Sequence, residues 1–120
     1  MIIYPGIRLE AILGATISTR QPHVHVDYID YGATGVPAYP NSTTVPMTGV
    51  TSVIILNTPM SGQTKAREIT ELAIYNDDTG NVSVGVRTSD GTTARLYVST
   101  LVMSTDTLVY QKMGGWQMLT

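Results

Sequence analysis

The chain of 120 residues has no cysteine and no phenylalanine, a single tryptophan, two histidines, and only 13% charged residues. Without cysteine there is no disulfide scaffold, no thiol nucleophile and no thiolate metal centre. With a net charge of −2 and so few ions, no basic patch marks a nucleic-acid surface and no acidic run marks a solvating tail. No apolar run approaches the roughly 20 residues that cross a bilayer as a helix. The opening MIIYPGIRLE places Arg8 and Glu10 too early for a signal-peptide pattern. Neither nucleic acid nor a membrane is therefore an expected partner.

What the chain does have is alternation. From Ile69 to Leu119 short runs of apolar and polar residues alternate and are cut by turn residues: ITELAIYN, DDTG, NVSVGVRT, SDGTT, ARLYVSTL, VMSTD, TLVYQ, KMGG and WQML. This spacing is that of an antiparallel sandwich or barrel. Val82, Val84 and Val86 share one parity and are expected to face inward. Asp90-Gly91 is the strongest hairpin signal, pairing Val82–Thr88 with a strand whose inward residues are expected to be Ala94, Leu96 and Val98. Gly114-Gly115 marks the turn between Thr107–Gln111 and Trp116–Leu119. The first half is read as a strand within Ile7–Thr19, with Gly14 a bulge or a close approach, a second strand over His23–Tyr31, and a third, central strand over Val50–Thr58. The whole chain, 1–120, reads as one all-β domain, an antiparallel β-sandwich of about eight strands without a helix longer than one turn.

Two segments do not fit a strand. Residues 1–6 are read as an extended N-terminal arm. Residues 32–49 hold three prolines and three glycines and are read as a long loop. Unstructured loops of this length are uncommon in compact domains and are often functional. An arm reaching a neighbouring subunit and an Ω-loop folded on its own domain are the two readings. On the first, Tyr4, Val36, Tyr39 and Met47 are the expected contacts between subunits. A surface carried by Thr, Ser, Tyr and Met rather than by ions also points to an assembly.

Chemistry-bearing patterns are few. His23-x-His25-x-Asp27 puts two imidazoles and a carboxylate on one strand face, which suits a metal or a pH-sensitive contact. The polar face of an ordinary strand is the preferred reading. Asp77-Asp78, between Asn76 and Asn81, offers oxygen ligands for calcium but lacks the EF-hand spacing and reads as a turn. Tyr110 and Trp116 could form a glycan-stacking platform. No nucleophile elbow, P-loop or dinucleotide fingerprint is present. No catalytic, cofactor-binding or metal-binding residue is assigned, no cofactor is expected, and the chain is not expected to be an enzyme.

The same segments resemble a family of small tailed-bacteriophage virion proteins. The similarity is carried by Ile74-Tyr75-Asn76-Asp77-Asp78-Thr79, Val82-Ser83-Val84-Gly85-Val86-Arg87, Asp90-Gly91-Thr92-Thr93, Thr100-Leu101, Leu108-Val109-Tyr110 and Gly114-Gly115-Trp116. It extends to Ile7–Gly14, Val24–Asp30 and Thr51–Leu56, and so covers nearly the whole chain. The resemblance implies a jelly-roll-like sandwich and a non-enzymatic role. The expected protein is a capsid decoration or cement protein, a homotrimer that stabilises the head by bridging subunits of the major capsid protein. It would be made in the host bacterial cytoplasm and end on the capsid surface of the virion. A glycan- or receptor-binding module of a head or tail fibre, or a head–tail connector or tail component, is the alternative. The chain departs from the pattern after Thr100-Leu101, where a turn that tends to carry glycine reads Met103-Ser104-Thr105-Asp106, and in having His23 and His25.

Overall fold

The computed structural model describes residues 1–14, 19–32, 38–48, 52–59 and 64–120. These residues form ten strands and no helix: β1 (Ile2–Ile3), β2 (Arg8–Leu13), β3 (His23–Gly32), β4 (Tyr39–Pro46), β5 (Ser52–Leu56), β6 (Thr64–Tyr75), β7 (Val82–Ser89), β8 (Ala94–Val102), β9 (Thr107–Gln111) and β10 (Gly115–Leu119). They build two antiparallel sheets. One has the order β10-β9-β6-β3-β4, with β1 also on β6; the other has the order β5-β2-β7-β8.

The alternating pattern explains the packing. Along each strand every second side chain points inward, and the inward rows meet in one apolar layer. From the four-stranded sheet come Leu9, Ala11 and Leu13 on β2 with Val82, Val84 and Val86 on β7, all at most 1% exposed. From the six-stranded sheet come Val24, Val26, Ile69, Leu72 and Ile74, all fully buried, and Leu108. Removing this much Val, Leu and Ile surface from water, at about 25 cal/mol per Å², is the main force holding the sheets together. Gly14 is a close approach, as expected: its N–H donates to Ser83 O at 2.8 Å, and an added Cβ would meet Ser83 Cβ at 3.0 Å.

Several expectations are corrected. The N-terminal arm is not free, because Ile2 and Ile3 pair with Glu68 and Arg67 of β6 and Ile3 is completely buried. Within the expected 32–49 loop, Tyr39–Pro46 is a strand, lying at the end of its sheet against β3. An end strand tolerates Pro40 and Pro46, since a missing N–H there costs nothing if it faces away from the neighbour. Met47, expected at a subunit contact, is 0% exposed; its N–H donates to Pro22 O at 2.8 Å and its side chain joins the core. The strand expected to be central is an end strand too: among the described residues β5 pairs only with β2, and Ile54 is 42% exposed.

The Asp90-Gly91 hairpin is present. It joins β7 to β8, with Gly91 at φ 94° and Asp90 Oδ1 accepting from the N–H groups of Thr92 (2.8 Å) and Thr93 (2.7 Å). These two backbone donors hold the Asp90 carboxyl below its ordinary pKa. The inward set expected on β8 is wrong at two positions. A bulge shifts the register between Val86 and Arg87, so Val86 faces Val98 while Arg87 faces Leu96. One extra residue at Tyr97 turns Leu96 and Ala94 to the outer face, and Leu96 is 58% exposed. In the turn that departs from the glycine pattern, Thr105 sits at φ 70°. That is a left-handed conformation costly for a β-branched residue. Hydrogen bonds from Thr105 N to Asn76 O (2.9 Å) and from Asp106 N to Met103 O (3.0 Å) hold it there.

Candidate functional site

The two sheets present outer faces of different chemistry. On the four-stranded sheet one cross-strand row reads Ile54, Glu10, Arg87, Leu96. The next reads Ser52, Ile12, Gly85, Ser99, and Leu101 stands beside Ser83. Leu101 is 48% exposed. Gly85 has no side chain to fill its place, so a shallow recess of about 220 Å³ opens between Ile12, Leu96 and Ser99. Tyr97 and Met103, on β8 and just beyond it, are exposed as well.

Glu10 lies in the middle of this face at 1% exposure. Its two oxygens accept separate hydrogen bonds, one from Arg8 Nε at 2.6 Å and one from Arg87 Nε at 2.7 Å. Burial pushes the Glu10 carboxyl up, but the hydrogen bonds and charges of Arg87 and Arg8 outweigh it, and the net shift is downward. The cluster carries one net positive charge on an otherwise apolar surface. Arg8-x-Glu10 is the sequence signal, two residues on one strand face; Arg87 joins only through the β2–β7 pairing.

The outer face of the six-stranded sheet is mixed, with exposed Tyr75 and Leu119 in one cross-strand row and polar side chains elsewhere. His23, His25 and Asp27 do share it, as expected from their alternation. His25 Nδ1 is 2.8 Å from Thr44 Oγ1, and Nε2 is 3.1 Å from Asp27 Oδ1. Both ring nitrogens are thus engaged by neighbours on the sheet, while His23 stands beside Tyr75 and Pro46 in the ladder. Among the described residues no group of three His, Cys, Asp or Glu side chains is placed to hold a metal. A recess of about 420 Å³ lies near the bulge in the β3–β6 pairing, lined by Asp27, Tyr28, Pro40, Asn41, Ser42 and Thr70. On β6, Glu68 accepts from Lys112 Nζ at 2.9 Å and from Tyr31 Oη at 3.1 Å. The Lys112 hydrogen bond holds the Glu68 carboxyl below its ordinary pKa and raises that of Lys112 in return.

The Asp77-Asp78 segment is a structural turn. Asp78 is 2% exposed and its Oδ1 accepts from Thr19 N (2.7 Å), Thr19 Oγ1 (2.9 Å), Arg20 N (3.1 Å) and Thr79 N (2.9 Å). Buried Asn76 donates to Gly80 O and Val102 O, both at 2.9 Å, and accepts from Asp78 N at 3.0 Å. These oxygens tie three chain segments together and face backbone donors, which is the role of an Asx turn rather than of a cation site.

Of the expected contact residues, Tyr4 and Tyr39 are well exposed, at 58% and 59%. Met47 is in the core, and Val36 lies outside the described residues. Tyr110 and Trp116 do pair, with ring centroids 5.1 Å apart and planes at 47°. They face each other across β9 and β10 on the inner side, half-buried against the core. Tyr110 Oη accepts from the Met1 amine at 2.8 Å. Burial, and then the negative charge of Glu68, pushes its phenol pKa up. No family model, curated protein or solved structure matches this chain.

Proposed function

We propose that the protein is a non-enzymatic structural subunit of a tailed-phage virion, acting as a capsid decoration or cement protein that bridges subunits of the major capsid protein. The observation that carries this reading is the row of exposed aliphatic side chains on the outer face of the four-stranded sheet. Leu96 and Leu101 of β8 and Ile54 of β5 are each at least 42% exposed there, and Tyr97 and Met103, on or just beyond β8, are exposed as well. A single surface leucine needs no explanation, but several aliphatic side chains on one sheet face suit a contact surface. The nested pairing of β3 with β6 inside that of β2 with β7 supports the jelly-roll-like arrangement that belongs to the same reading. The function is mechanical: many copies each bury a modest area across a seam, and the shell gains their sum.

The test is copy number in purified virions, measured by quantitative mass spectrometry against the major capsid protein. A decoration protein approaches the stoichiometry of the capsid subunit and leaves the head more heat-sensitive when its gene is deleted. A few tens of copies would replace this reading with that of a fibre module, connector or tail component. Absence from the virion would end both.

A further inference from the structure

The four sheet edges are not alike. β5 and β10 are short, at five residues each, and β4 carries Pro40 and Pro46 and lies near β5. β8 is the longest, nine residues reading ARLYVSTLV, with no proline, no glycine, no lysine and one charge, Arg95. Among the described residues β7 is its only hydrogen-bonded neighbour. An edge strand leaves a row of backbone N–H and C=O groups unpaired, and monomeric proteins blunt such edges with prolines, charges or bulges. The bulge at Tyr97 limits the flat part of β8 to Val98–Val102; Val102 O accepts from Asn76 Nδ2 at 2.9 Å, and Val98–Leu101 are left without a proline or a charge.

We propose that β8 pairs antiparallel with β8 of a second copy of this chain, about a two-fold axis at Thr100. The faces require an axis through a residue rather than between two, and Thr100 is the centre of the flat run. Val98, Thr100 and Val102 lie opposite Val86, Val84 and Val82 and share the inner row, while Ser99 and Leu101 share the outer row. A two-fold at Thr100 places Thr100 against Thr100, Leu101 against Ser99 and Val102 against Val98, keeping inner rows with inner rows. A slip of one residue would mix the rows, setting Ser99 against Thr100 or Val102. One step further, exposed Tyr97 meets exposed Met103, a favourable sulfur–aromatic contact.

Charge agrees with this register. The one cation of β8, Arg95, comes to the Met103–Asp106 turn of the second copy, which carries Asp106, and the symmetry makes the same contact twice. The pair fuses two four-stranded sheets into one of eight strands. It also makes the two outer faces with Leu96 and Leu101 continuous. This inference does not rest on the virion reading. A two-fold contact is also a different seam from that of the expected homotrimer, so mass separates the two assemblies.

The absence of native cysteine makes the test clean. Thr100→Cys places two thiols directly across the axis, within the Cα separation of roughly 4.5–5.5 Å that paired antiparallel residues share and a disulfide accepts. Under mild oxidation it should form a covalent dimer at least about tenfold faster than Ser42→Cys on the exposed face of β4, because pairing raises the effective thiol concentration to the millimolar range. By light scattering the unmodified protein should show twice the chain mass. Leu101→Lys, at a half-exposed position that does not touch the core, should return the chain mass with unchanged far-UV circular dichroism. A monomer or trimer for the unmodified protein, or equal cross-linking of the two cysteine variants, overturns the pairing. A dimer that survives Leu101→Lys overturns the register.

Discussion

The outer faces of the two sheets sit on the same core and differ in chemistry. On the six-stranded sheet the outward side chains bond to each other along the surface, as His25 does with Thr44 and Asp27. On the four-stranded sheet they are Ile12, Ile54, Leu96 and Leu101 around a carboxylate that water hardly reaches. The inner rows suffice to hold the sandwich, so folding does not require either outer face to be apolar. Exposed aliphatic side chains on an outer face therefore suit a contact surface. The ion cluster sharpens the contrast. His25 and Asp27 are each almost half exposed, where an ion pair contributes little, whereas the Glu10 side chain is 2% exposed and depends on its two arginines.

The largest effect should come from removing both arginines. Arg8→Ala with Arg87→Ala removes both partners of Glu10 and should cost about 2 kcal/mol in urea unfolding, less than the loss of a deeply buried pair, because the arginines are partly exposed and their truncation opens the carboxylate to water. A cost below about 1 kcal/mol would make the cluster no different from the polar face.

Acid should distinguish the faces next. Arginine holds the folded-state Glu10 pKa below its ordinary 4.5. The stability this contributes is complete above the unfolded-state pKa and is lost as pH falls through the folded value. Urea midpoints should therefore drop as pH falls below about 5, with Glu68 and Asp90, also depressed, adding to the slope. In the double-arginine variant the groups that lower the Glu10 pKa are gone, so Glu10 no longer adds to the loss. The loss on acidification should be smaller than in the unmodified protein; an equal loss would mean that Glu10 does not contribute.

The smallest effects come from single exposed side chains, one on each face. His25→Ala and Leu96→Ser should each change unfolding stability by no more than about 0.5 kcal/mol. They should part company in binding of a hydrophobic dye or in self-association, which Leu96→Ser lowers and His25→Ala leaves alone.

Much of the fold was legible because β-structure writes itself locally. Val82, Val84 and Val86 declare an inner row by parity, and Asp90-Gly91 declares a hairpin by its tolerance of positive φ. The misreadings share a cause. Tyr39–Pro46 was read as loop because prolines argue against a strand, and only its position at a sheet end makes them harmless. Leu96 was placed inside because parity counts residues, and a single bulge reverses the count. Met47 was read as a contact because an apolar residue in an irregular segment gives no sign of which surface it meets. The Glu10 cluster joins residues 77 positions apart in the chain, and nothing in Arg8-x-Glu10 points to Arg87.

The sequence by itself determined the class and the hairpins: an all-β chain with alternating strands, turns at Asp90-Gly91 and Gly114-Gly115, and one domain. These depend on interactions within a few residues, where periodicity and backbone preference act. The tertiary structure decided which strands lie at the edges, which outer face stays apolar, and where a carboxylate is buried between two arginines. Those depend on pairings between distant segments and on bulges that reset the facing of every residue beyond them.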